Sequence, residues 1–173
     1  MTSKNFSTKK LTLLALYTTL SLAIYLAESM FPPLVPVPGI KLGLANIITL
    51  IVLLNHSAKD ATIVSLARIL LASFFAGTAV SLLYSLLGTI LSLASMIFMN
   101  YLLRQKYIYI TSIIGALFHN TGQILAAIFL TSTPYVAAYL PILMISGIVT
   151  GIFTGFCAHF ANKHLKKLIS RQF

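Results

Sequence analysis

From residue 107 to residue 162 the chain carries no Asp, Glu, Lys or Arg, and the same holds for 11–27, 42–58 and 69–103. A helix needs about 20 apolar residues to cross a bilayer. Composition agrees: 58% of the 173 residues are hydrophobic and 8% are charged, where a soluble domain carries roughly a quarter charged residues. These features predict an all-α integral membrane protein.

Breaks in hydrophobicity divide the chain into six expected transmembrane helices, at about 10–30, 40–54, 59–75, 78–103, 107–130 and 135–161, forming a single membrane domain over 1–173. Pro32 and Pro33 stop the first, and the segment from there to Pro38-Gly39 cannot be regular helix, because proline removes amide donors and restricts the residue before it. Asn55-His56-Ser57, Gly77, Arg104-Gln105-Lys106 and Ser132-Thr133-Pro134 mark the other ends. The first apolar run reads as a retained helix rather than a signal peptide, since Glu28 and Pro32 follow it without a small-x-small cleavage site.

Six crossings place both termini on one side. That side collects Lys4, Lys9, Lys10, Lys59, Arg104, Lys106, Lys163, Lys166, Lys167 and Arg171, and the other has only Lys41. Basic loops stay cytoplasmic, so both termini are expected inside and Lys41 outside. The net charge of +10 thus sits at helix ends. No basic stripe interleaves with aromatics, which argues against nucleic-acid binding. The single Cys157 allows no disulfide within the chain.

Charges in the apolar part stand out, because one at the centre of a bilayer costs about 2.5–3.5 kcal/mol. Glu28 closes the first helix and Lys41 opens the second; they either pair across the Pro-rich segment or reach the interface separately. Arg68 lies halfway along the third helix. The only acidic residues are Glu28 and Asp60, and Asp60 is too far along the same helix for contact. Arg68 must therefore meet Glu28, backbone carbonyls or an anion from outside.

On the fifth helix, GALFHNTGQ (115–123) puts His119 and Gln123 on one face with Asn120 beside them. These groups either bond to another helix or face a ligand. Gly115 and Gly122 share a face and permit close approach of a neighbour. His119 has no Cys, Asp or Glu nearby, so no metal site is expected.

Small residues recur every fourth position in two places: Ala15, Thr19, Ala23 and Ala27 on the first helix, and Gly147, Gly151 and Gly155 on the sixth. Such faces let helix backbones approach closely, within the chain or against another membrane protein; spacing does not choose between them.

Two acidic residues in the whole chain are too few for the aspartate-rich Mg²⁺ sites of prenyl-transfer enzymes. There is no P-loop for ATP and no convergent Ser/His/Asp set. The chain is therefore expected to be neither an enzyme nor a cofactor carrier. A helical bundle with a few cationic and amide groups suits binding of an anionic, largely apolar small molecule.

At PVPGIKLGLANI (36–47), ARILL (67–71) and GALFHNTGQ (115–123) the chain resembles the Gx transporter family, also labelled heptaprenyl diphosphate synthase component I, which is similar to the substrate-binding S components of energy-coupling factor (ECF) transporters. The likeness covers nearly the whole chain. It implies a bacterial cell-membrane subunit of six helices that captures substrate at the outer face and works with a transmembrane T component and two ABC ATPases. It also implies docking through the first helix, in an Ala-xxx-Ala pattern that Ala15, Thr19, Ala23 and Ala27 fit with Thr in place of one Ala. Carried over, the substrate pocket falls at Lys41, Asn46, His119, Asn120 and Gln123, with Arg68 below. A quinone precursor such as a naphthoate, or a prenyl compound, is the implied substrate; flavin, as in vitamin-uptake relatives, is the alternative. The older label implies instead a membrane accessory of a heptaprenyl diphosphate synthase.

Overall fold

The computed structural model describes residues 8–31, 41–76, 79–104 and 106–169. They form six α-helices: α1 (Thr8–Ser29), α2 (Asn46–Asn55), α3 (Ala58–Ala76), α4 (Ala79–Leu103), α5 (Ile108–Thr131) and α6 (Leu140–Ile169), the last preceded by a 3-10 turn at Pro134–Tyr139. Among the described residues there is no strand.

The surface of this bundle is apolar and much of its interior is polar. Phe74 is 89% exposed and Phe129 78%, whereas Arg68 is 2% exposed and Ser21, Thr49, Ser65, Ser92 and Asn120 are fully covered. In water such a surface would be an aggregation site. In lipid it is the expected arrangement, since buried polar groups must find partners inside. Four helices, α1, α4, α5 and α6, are long and apolar enough to cross a membrane.

α2 is different. Its ten residues are almost all aliphatic and almost all buried, as a helix apolar on every side must be. It packs against α1, α3, α4 and α6, and Leu50, Ile51, Val52, Leu53 and Leu54 form the centre of the main core with Leu14 and Tyr17 of α1, Val64 of α3, Leu93 and Met96 of α4, and Ala158 of α6.

Around it, α5 is held between α4 and α6. A Cβ on Gly122 of α5 would lie 2.6 Å from the Leu87 carbonyl oxygen of α4, and one on Gly151 of α6 would lie 2.6 Å from Ile113 Cα of α5. Only glycine permits backbones so close. A hydroxyl pair, Ser112 and Thr154 at 2.6 Å, bridges α5 to α6; another, Thr49 and Ser65 at 2.9 Å, bridges α2 to α3.

Four of the six helix expectations match within two residues. The second helix was expected over 40–54 and begins at Asn46. Residues 41–45 are turns instead, with Gly43 at φ +80°, a conformation glycine adopts freely. The sixth was expected over 135–161; its start is the 3-10 turn opened by Pro134, and its helix continues to Ile169 through the basic segment after Ala161. The Pro-rich segment 32–39, Lys4, Gly77 and Arg171 lie outside the described residues.

Candidate functional site

The end of α1, the turns at 41–45 and the middles of α3, α4 and α5 meet in one buried polar cluster. Glu28, in the last turn of α1, accepts the Gly43 N–H at 2.7 Å on one oxygen and the Leu44 N–H at 2.9 Å on the other. These amides lie in the segment just before α2, whose own first N–H groups are met by the Gly43, Leu44 and Ala45 carbonyls, so the carboxylate fixes the chain that leads into the helix. Of the two readings open for Glu28 and Lys41, the pair does not form: among the described residues Glu28 makes no ion pair, and the Lys41 ammonium lies 3.5 Å from the centroid of the Tyr25 ring. A cation over an aromatic face is attracted by the ring quadrupole.

Tyr25 sits one helical turn before Glu28 and presents the same face. Its hydroxyl meets Ser81 of α4 at 3.0 Å, and the Arg68 guanidinium carbon is 5.7 Å from its centroid. Arg68 is therefore internal. Its Nη2 donates to Thr89 of α4 at 2.9 Å, a partner the sequence reading did not foresee, while its Nε has no hydrogen-bond partner. Both Lys41 and Arg68 act electrostatically on Glu28. Asp60 takes no part: it pairs with Lys10 at 2.8 Å and caps α3 through Ser57.

His119 fills the space between two glycines. A Cβ on Gly43 would come within 2.7 Å of its ring, and one on Gly88 of α4 within 2.9 Å. Gln123 Oε1 accepts the Lys41 N–H at 3.4 Å. Its amide nitrogen then faces His119 Nε2 at 3.1 Å, so it donates to that nitrogen. A ring accepting at Nε2 is uncharged and carries its proton on Nδ1. That Nδ1 lies on the Gly88 side, against α4.

Asn46 donates to Ser92 of α4 at 3.3 Å, and its carbonyl oxygen is buried without a partner. Lys41, Asn46, Arg68, His119 and Gln123 thus belong to one connected region, with Glu28, Tyr25 and Thr89 added to it. Asn120 is turned away. It donates to the Leu143 carbonyl of α6 beside Gly147, and its place is the α5–α6 contact. Among the described residues no three His, Cys, Asp or Glu side chains gather to hold a metal.

A second surface lies on the outside. Ala15, Thr19, Ala23 and Ala27 are all exposed, and Ala15 and Thr19 line an open groove of about 480 Å³ between α1 and α3, with Leu11, Ile63, Ala67 and Leu71.

An apolar exterior, long apolar helices and a charged interior define an all-helical protein of the multi-pass membrane type. More particularly, the chain belongs to the heptaprenyl diphosphate synthase component I family, whose model matches residues 17–161. No curated protein and no solved structure matches the chain.

Proposed function

We propose that the chain is the substrate-binding S component of an ECF-type importer, with all six helices within the membrane, both termini cytoplasmic, and the cluster around Arg68 receiving the anionic end of a largely apolar molecule. Arg68 carries the reading. A guanidinium has five N–H donors, and here it is buried with one hydrogen bond among the described residues and an unpartnered Nε. Such a group is costly unless an anion completes it. The substrate would be a quinone precursor or an isoprenoid-related compound; flavin is the alternative ligand. The exposed row on α1 would be the dock for a T component carrying two ATPases, since the chain has no P-loop of its own.

The family description supports a second reading, in which the chain is a membrane accessory of a prenyl diphosphate synthase. With two acidic residues it would act only beside an aspartate-rich catalytic partner.

Co-purification separates the two. Tagged chain expressed with a T component and both ATPases should be recovered as a four-protein complex, and the complex should be lost when Ala15, Thr19 and Ala23 become Leu. Recovery with a soluble prenyl synthase subunit instead, together with stimulation of its activity, would decide for the accessory.

A further inference from the structure

We infer that the cluster is built for a singly charged anion, a carboxylate, rather than for a phosphate ester or diphosphate. This rests on the reading of the chain as an anion-binding subunit and specifies what it binds. The argument is one of charge. Lys41 and Arg68 contribute two positive charges, and Glu28, whose two oxygens each accept a backbone N–H, one negative. His119 is uncharged because its Nε2 accepts a hydrogen bond from Gln123. Asp60 is occupied with Lys10 and Ser57. One positive charge is left over.

Glu28 is also not free to leave its post. Each of its oxygens holds a backbone amide just before α2, and letting go would leave two part-buried N–H groups without a partner. Its charge is therefore a fixed part of the site, while Arg68 Nε remains an open donor. A monoanion bound there brings the sum to zero. A phosphate ester or diphosphate would leave excess negative charge in a low-dielectric interior beside a carboxylate that cannot move, and like charges at close range oppose binding.

The test is calorimetry on the purified chain in lipid nanodiscs with tail-matched probes: naphthoate against naphthyl phosphate, and farnesoate against farnesyl diphosphate. The carboxylate should bind at least tenfold more tightly than its phosphorylated counterpart. Glu28→Gln raises the surplus to two positive charges while keeping an oxygen for an amide, and it should shift that ratio at least tenfold toward the phosphate. Lys41→Met, a change at a half-buried side chain that spares the clasp, should weaken the carboxylate at least tenfold and leave the uncharged alcohol of the same tail unaffected.

Preference for the phosphorylated probe in the unaltered chain overturns the inference, as does a ratio unmoved by Glu28→Gln or a carboxylate affinity untouched by Lys41→Met in chains that retain their thermal midpoint. If a folded chain binds no anion of either series, the anion-binding reading itself falls, and the inference with it.

Discussion

Gly147, Gly151 and Gly155 on α6 face inward onto α5, whereas Ala15, Thr19, Ala23 and Ala27 on α1 face outward. The spacing of the two rows is identical, yet one is consumed by the fold and the other left open. Hydroxyls follow the same division. Thr154, next to Gly155 on α6, donates back to the Gly151 carbonyl but also meets Ser112 of α5 at 2.6 Å. Thr19, within the α1 row, donates back to the Ala15 carbonyl of its own helix at 3.0 Å. The glycines that build the bundle already have a neighbouring helix against them, whereas Ala15 and Thr19 border an open groove.

This contrast can be broken at several strengths. The largest effect belongs to Gly151→Leu and Gly122→Leu, where a side chain would meet backbone on the neighbouring helix. Each should destabilise the bundle by about 3 kcal/mol or more, read as loss of a monodisperse species in detergent or a large fall in thermal midpoint. Thr154→Val should come next, at about 1 kcal/mol for an interhelical hydrogen bond in a membrane protein, measured by unfolding in mixed micelles. Smallest on stability is the Ala15→Leu, Thr19→Leu, Ala23→Leu triple variant, expected within about 0.5 kcal/mol of the unaltered chain. Should that variant unfold as readily as Gly151→Leu, the α1 row is packed after all and the two rows do not differ in kind.

How much of this was legible beforehand follows the range of the interactions. The long helices could be read because their apolar runs are local and their breaks at Pro134 and Arg104 are local too. The start of α2 could not. It depends on Glu28, fifteen residues before Gly43, and on a glycine turn whose φ no pattern announces. His119 and Gln123 were placed together correctly by helical spacing alone. Asn120 was grouped with them because it is their neighbour in sequence, but successive residues on a helix point in different directions, and its side chain bonds to α6. Thr89 was missed because one hydroxyl among the many on α4 acquires meaning only when Arg68 is brought against it. Tyr25 offered a usable clue: it lies on the same face as Glu28, where an aromatic ring beside a buried carboxylate invites cations.

The short central helix also bears on how the chain is made. Ten residues rise only about 15 Å, roughly half the hydrocarbon thickness of a bilayer, so α2 has little to hold it in lipid by itself. Its walls come from α1 and α3 on either side of it in the chain, but also from α4 and from α6, which is synthesised after the other five. The centre of the bundle therefore cannot close until α6 has arrived. A chain stopped before α6 should lack a closed core rather than merely one helix.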